Sequence, residues 1–488
     1  MQFNEYLEKT NEIGFAERVI APLVYVEGLP GAKPQEIIIF ESGEQGMVTS
    51  LGEGFVEVLS FAQLPVRVGT RAARTDRVPE LPVGEALLGH IIDSFGASLD
   101  PSRPVPLFSE TRPIDTIAPG TGARSRIKRA CETGVTMADL MIPLGKGQRE
   151  LVMGDQKTGK SLFVMRVLLS QVLQGSVGVY AIMGKGKIAI RQIEETLARM
   201  GILDRVVIVA SSADTGAGMI HNTPYSAMTI AEYFRDCGKD VCVVLDDLTT
   251  HAKMYREIAL LGRRFPGRNS YPSDIFYAHA RLLERAGNFL MPKTGEVSIT
   301  CLPIVETVQG DVTGYIQTNS MSMTDGHIFF DHALFLEGRR PAIDPFLSVT
   351  RVGRQTQSPL RQEIGRALTH FLREMEDIHN FAHFGAELGQ HIKDAIEKES
   401  RIIQFFDQTA YDKIPSNAQI LLFAYAWGDT WKRKEKNEIQ AEIKEILFLY
   451  ESDAAFRGRT DDLVAASATM DMLLAAIKNF KPLPQNTA

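Results

Sequence analysis

The residues with the clearest chemistry are Gly154-Asp155-Gln156-Lys157-Thr158-Gly159-Lys160-Ser161, a G-x-x-x-x-G-K-S loop. An apolar run ending in Leu151-Val152-Met153 precedes it, and a run of helical composition at 162–169 follows. Strand, glycine-bounded loop and helix in that order make a phosphate cradle: the loop turns backbone N–H groups inward, and the helix N-terminus adds partial positive charge. Lys160 is placed to reach the β and γ phosphates and the Ser161 hydroxyl to ligate Mg²⁺. A second apolar run, Val241-Cys242-Val243-Val244-Leu245, ends in Asp246-Asp247. A carboxylate there holds Mg²⁺, directly or through water, across from Ser161; Asp246 suits that role, whereas Asp247 suits the cap of the next helix.

Rapid hydrolysis needs a group that orients or activates water. It belongs at the end of the strand over 177–182, where the sequence reads Met183-Gly184-Lys185-Gly186-Lys187. Lysine is no base for water at neutral pH unless strongly desolvated. The chain is therefore expected to bind MgATP and to turn it over slowly or not at all. Arg351, in Ser348-Val349-Thr350-Arg351-Val352-Gly353, ends another apolar strand. An arginine supplied in trans at a subunit boundary can raise phosphoryl-transfer rates by roughly 10³–10⁵.

The elements that must carry these residues fall into three stretches. Over 1–79, short apolar runs alternate with glycine-containing turns, which predicts a β-barrel. Over 80–360, near-continuous apolar strands alternate with helical segments, which predicts an α/β domain with a parallel sheet covered on both faces. Over 361–488 the strands stop; apolar spacing predicts helices at 361–377, 386–406, 417–426, 430–450 and 460–478.

Bulk properties narrow the function classes. The chain has 488 residues, 44% hydrophobic and 23% charged, with net charge −7, which suits several domains and gives no basic face for nucleic acid. Cys131, Cys237, Cys242 and Cys301 are scattered without metal or disulfide spacing, as in a reducing compartment. No signal-like N-terminus and no run of 18 or more apolar residues is evident, so membrane association is expected only through partners.

Longer motifs carry a resemblance. Gly147-Gln148-Arg149-Glu150, Asp246-Asp247-Leu248, Arg263-Arg264-Phe265-Pro266-Gly267-Arg268, Arg281-Leu282-Leu283-Glu284-Arg285-Ala286, Ser322-Met323-Thr324-Asp325-Gly326, Arg340-Pro341-Ala342-Ile343 and Phe381-Ala382-His383-Phe384-Gly385 occur in order. With the P-loop and the Arg351 motif, they make the chain resemble alpha subunits of F-type ATP synthases over nearly its whole length. The resemblance implies a β-barrel, a RecA-like nucleotide-binding domain and a helical domain. It also implies a non-catalytic, regulatory ATP/ADP site with Mg²⁺ and alternation with beta subunits around a gamma shaft. Arg351 would be the finger lent to the beta catalytic site, and Ser322 would lie at the same interface. Phe335, Arg340, Pro341 and Gln408 would lie on the adenine side. The complex would sit peripherally on the cytoplasmic face of an energy-transducing membrane, coupled to protons or sodium.

The sequence departs from the family in places. Gln156-Lys157 stands for Arg-Gln, Ser161 for Thr, Lys185 for the usual Gln, Thr350 for the last Ser of Ser-x-Ser, and Ala410 for a second adenine-side Gln. The arm before about residue 13 is short, which puts the delta-subunit contact in doubt. Two other classes fit the sequence less well. A homohexameric export ATPase would need a carboxylate near 185. A hexameric helicase would need a basic or aromatic RNA-binding fold, which the acidic balance disfavours.

Overall fold

The architecture is that of a computed structural model, which describes residues 3–106, 108, 110–382, 390–409, 413–428 and 430–480. His383, Phe384, Gly385 and Ala410 lie outside them. Alternating apolar side chains and tight turns close residues 13–74 into an antiparallel barrel. Around it run Ile13–Ile20, Leu23–Glu27, Phe55–Ser60, Gln45–Leu51, Ile37–Phe40 and Arg71–Arg74, which returns to the first strand. The inward residues, among them Val24, Val26, Ile38, Phe40, Val56 and Val58, form one apolar cluster. Arg74 is buried with them in type but not in charge: it meets Glu12 at 2.9 Å and Glu36 at 3.2 Å, which satisfies the guanidinium out of water. A helix, Phe3–Thr10, precedes the barrel; Phe3 and Tyr6 pack with Ile39 and Ala73 of the barrel wall. Apolar spacing of three residues puts both rings on one helical face.

Contacts divide the chain into two compact units. One comprises Met1–Arg126, Gly147–Met153 and Gln171–Asp325; the other comprises Ile127–Lys146, Gly154–Ser170 and Gly326–Ala488. Besides the barrel, the first holds a parallel sheet. Val241–Asp246 lies between Gly295–Glu306 and Val177–Lys185, and Val206–Ser212 and Ile91–Ile92 follow outward. Every residue of Val206–Ser212 and of Val241–Asp246 is buried, as continuous apolar runs require when helices cover both faces. Helices Lys187–Arg199, Ala217–Asp236 and Leu248–Leu261 cross between the strands.

The second unit holds the P-loop, the antiparallel pair Gly326–Phe330 and Ile343–Thr350, and the C-terminal helices. Those helices are Pro359–Ala382, Gln390–Phe406, Ser416–Trp427, Lys436–Ser452, Ala454–Ala466 and Met470–Ile477. The sequence pattern predicts one helix over 460–478 where there are two. Thr469 makes the break: its side chain accepts from the Met472 N–H and caps a new helix, a role in which threonine outcompetes helix continuation. A barrel, a nucleotide-type α/β sheet and a helical region are thus all present, as the sequence predicts. No helix among the described residues is long and apolar enough to cross a membrane.

Candidate nucleotide site

In the second unit the P-loop has the backbone its sequence demands. Gly154 adopts φ +150°, and a Cβ there would lie 2.4 Å from the Phe330 carbonyl oxygen, so only glycine lets the loop leave its strand at this point. Lys157 sits in the left-handed region at φ 62°. The Thr158 hydroxyl donates to the Asp155 carbonyl at 2.8 Å, and the buried Lys160 ammonium donates to the carbonyls of Gly154 at 2.8 Å and Asp155 at 2.5 Å. The lysine is therefore held over the cradle by the loop's own backbone. Helix Lys160–Leu173 starts there, with Ser161 exposed in its first turn. Phe163 packs on Phe330 with ring centroids 5.6 Å apart, which fixes the helix start against the next strand.

The residues expected on the adenine side lie in the same unit. The Arg340 guanidinium stacks 3.8 Å from the Phe335 ring centroid and donates to the carbonyls of Phe335 and Arg339. Arg340 and Pro341 line a cleft of about 550 Å³ together with Leu334, Phe346 and Gln404. Gln408 has a different use. Its side-chain amide accepts from the Thr136 N–H at 2.8 Å and donates to the Gly134 carbonyl at 3.0 Å, while its own N–H donates to the Arg340 carbonyl at 2.8 Å. Gln408 thus ties the Arg340 turn to the 134–136 loop.

The first unit carries the acidic strand end. Asp246 is 2% exposed. One carboxylate oxygen meets the Lys185 ammonium at 2.6 Å, and the other accepts from the Tyr180 hydroxyl at 2.9 Å. Burial first, then the Asp246 charge, pushes the Tyr180 hydroxyl well above its ordinary range, so it stays a donor. Asp247 caps helix Leu248–Leu261, accepting from the Thr250 N–H at 2.7 Å and from its hydroxyl at 3.1 Å. Burial raises its carboxyl above the usual range. No group of three or more metal-type ligands is found among the described residues. Tyr180 escaped the sequence reading because it sits inside an apolar strand; the available signal was that a buried tyrosine hydroxyl needs a partner.

Arg351 is exposed at the end of Ile343–Thr350. Its base is anchored on both sides. The Ser348 hydroxyl accepts from the Phe329 N–H at 2.9 Å and donates to the Asp344 carbonyl at 2.5 Å. The Thr350 hydroxyl donates to the Pro143 carbonyl at 2.8 Å and accepts from the Gly353 N–H at 3.1 Å. The Arg351 charge also reaches His327, whose imidazole is held below its ordinary pKa mainly by burial and secondarily by that arginine. Ser322 is exposed in the first unit, its hydroxyl donating to the Thr318 carbonyl at 3.0 Å.

Residues 134–350 match the ATP synthase alpha/beta family, nucleotide-binding domain. The ATP synthase subunit alpha of Clostridium botulinum strain Hall is 36% identical over 484 residues, which spans 98% of this chain and 95% of the relative. The chain belongs to the F-type ATP synthase alpha-subunit family. The ATP synthase subunit alpha of strain Eklund 17B is likewise 36% identical, over 478 residues, with 97% and 94% covered. As an alpha subunit the chain has its general role in a rotary ATP synthase, and its central domain is the one that binds ATP or ADP. The residues of the phosphate cradle and of Asp246 all fall inside the matched domain; Arg351 follows its last residue directly.

Proposed function

We propose that this chain is the non-catalytic, regulatory alpha subunit of its complex: it holds ATP or ADP on the P-loop and lends Arg351 to the catalytic site of a neighbouring beta subunit. The observation that carries the first half is the Lys185–Asp246 pair. Where hydrolysis needs a free base, position 185 offers an ammonium already bound to the Asp246 carboxylate, and an ammonium cannot accept a proton from water. Arg351 supports the second half: an exposed guanidinium on a backbone fixed by Ser348, Thr350 and Gly353 is suited to reach outward to a phosphoryl group in trans.

Beta subunits alternating with this chain, a gamma shaft, and proton or sodium transport at the cytoplasmic face of a membrane complete the reading. Membrane attachment is through partners. For Mg²⁺ the expected donors are Ser161 and Asp246; the Asp246 carboxylate already meets the Lys185 ammonium and accepts from the Tyr180 hydroxyl.

The test is reconstitution with a beta-type partner and gamma. The chain alone binds nucleotide without appreciable turnover, the complex turns over, and Arg351→Ala lowers that turnover by roughly 10³-fold or more while nucleotide still binds to the chain. Unchanged turnover in the Arg351→Ala complex refutes the finger, and robust turnover by the isolated chain refutes the regulatory assignment.

A further inference from the structure

Just past Arg351 the chain carries positive charge that its own carboxylates do not meet. We propose that Arg354, Arg366 and Arg373 form a strip on which a carboxylate-bearing segment of a neighbouring beta-type subunit docks, the same subunit to which Arg351 is lent. The inference rests on the reading of Arg351 as a finger supplied in trans.

One helix and one turn of the second unit set out the strip. In helix Pro359–Ala382 the side chains of Leu360, Ile364, Leu368, Phe371 and Met375 are buried, which fixes the face turned outward. At about 100° per residue, Arg366, His370, Arg373 and Asp377 fall within about 60° of one another. They form a single outer stripe, and all four are exposed. Arg354, also exposed, joins from the turn Gly353–Thr356. Its carbonyl accepts from the Gln362 side-chain amide at 3.2 Å, which ties the turn to the helix. Arg354 and the stripe line a groove of about 520 Å³, which also takes in Glu374. Arg354 and Arg366 line a smaller adjoining cavity of about 130 Å³ beside Pro143.

Among the described residues no carboxylate pairs with Arg354, Arg366 or Arg373. Glu363, near Arg366 in sequence, instead accepts from the Met470 N–H at 2.9 Å. Arg361 is engaged inside the unit, donating to the Ser416 carbonyl at 2.6 Å. Arg373 lies over the Phe346 ring, 5.5 Å from its centroid, and Phe346 belongs to strand Ile343–Thr350, which ends beside Arg351. Strip and finger therefore share one frame. A planar guanidinium takes a carboxylate through two parallel N–H···O bonds, so a strip of them selects an acidic segment. Glu374 and Asp377 repel further acid at the other end of the groove. That polarity orients the segment, with its carboxylates toward Arg354 and Arg366 and neutral or basic residues toward Asp377. Seating it there holds the neighbour against Arg351, whose reach to a phosphoryl group depends on position.

The experiment measures association of the full-length chain with its beta-type subunit by analytical ultracentrifugation. It is run at about 0.1 M and about 1 M salt, between which the screening length falls from about 10 Å to about 3 Å. Beside the wild type stand Arg354→Gln/Arg366→Gln, which removes the charge and keeps polar side chains, and Arg354→Glu/Arg366→Glu, which reverses it. At the lower salt the glutamine pair is expected to bind about tenfold more weakly than the wild type and the glutamate pair about 10²-fold more weakly. The glutamine pair also loses most of the salt dependence. Both variants melt cooperatively and, alone, bind ATP within about threefold of wild type, as exposed substitutions outside the P-loop should. A glutamine pair with wild-type affinity and salt dependence overturns the inference; if Arg351→Ala still abolishes turnover, the finger stands without it. A loss confined to gamma binding, or to self-association of the chain alone, gives the strip another occupant and likewise overturns the inference. A wild-type chain that binds no beta-type subunit at either salt overturns the reading beneath it.

Discussion

Gly353→Ala tests how the fold aims Arg351. Gly353 is buried two residues past the arginine, and a Cβ there would lie 1.6 Å from the Pro143 carbonyl oxygen, 2.5 Å from its carbon and 2.7 Å from the Thr350 hydroxyl. All but the last are backbone atoms that no rotamer change can move aside. Real Cβ contacts respect about 3.0 Å, so against the 1.6 Å available the two segments must part by about 1.4 Å. That movement stretches the Thr350–Pro143 bond, which is 2.8 Å in the native chain, and frees the strand end that carries Arg351. Overpacking of this kind costs roughly 1–3 kcal/mol in stability. Misplacing a catalytic group by about 1 Å costs on the order of 10²-fold in rate.

The expected outcome is therefore selective. In the complex reconstituted with beta-type and gamma partners, Gly353→Ala lowers turnover by about 10²-fold, while ATP binding to the isolated chain stays within a few-fold of wild type and the chain melts cooperatively. A folded Gly353→Ala complex with wild-type turnover, beside a dead Arg351→Ala complex, refutes the claim that the Pro143 contact positions the arginine. Wild-type turnover in both removes the finger itself.

Two further outcomes concern the first unit. Arg285 is fully buried and donates to Glu232 at 2.6 Å, to the Thr229 hydroxyl at 2.7 Å and to the Ile114 carbonyl at 2.9 Å. Arg285→Met strands the Glu232 charge and lowers stability by about 3 kcal/mol, the low end for a broken buried pair, because Arg235 remains 3.7 Å from Glu232. A scanning melt should fall by roughly 6–10 °C, with partial recovery in Arg285→Met/Glu232→Gln; an unshifted melt refutes the assignment. Separately, His251 bonds the His279 ring at 3.0 Å, and His221 stacks on it. Burial lowers His279 well below its ordinary pKa and His251 to about 4. A histidine depressed on folding contributes stability that is complete above about pH 6.5 and is lost as pH falls toward the folded value, since the unfolded chain binds the proton first. Each such group removes roughly 2 kcal/mol by pH 5. Urea midpoints should fall from pH 7 to 5, and His251→Gln should flatten that slope by about one proton; an unchanged slope refutes the account.

What could be read from residue order was the part that local physics dictates. Alternation announced the barrel strands Leu23–Glu27 and Phe55–Ser60, and continuous apolar runs announced the parallel strands from Glu150–Gly154 to Val241–Asp246. The cradle was legible because backbone geometry requires glycine at 154 and phosphate binding requires a cation at 160, and Asp247 was legible as a cap. The strands Ile13–Ile20 and Arg71–Arg74 were not anticipated: each carries charged residues, and what makes them strands is barrel closure with Ile13 opposite Ala73, a long-range pairing that no local window contains. The use of Gln408 was hidden for the same reason. It is bonded to residues more than 270 positions earlier, so its tie between two loops has no local signature in the sequence.

The Lys185–Asp246 pair shows how one side chain sets the electrostatics of a strand end. A carboxylate at position 185 would repel Asp246 in the same low-dielectric surroundings. Lysine there instead meets Asp246 at 2.6 Å, while the Tyr180 hydroxyl donates to the other oxygen at 2.9 Å. An ammonium held by a carboxylate has no lone pair with which to take a proton from water, which is the electrostatic ground of the non-catalytic reading proposed above.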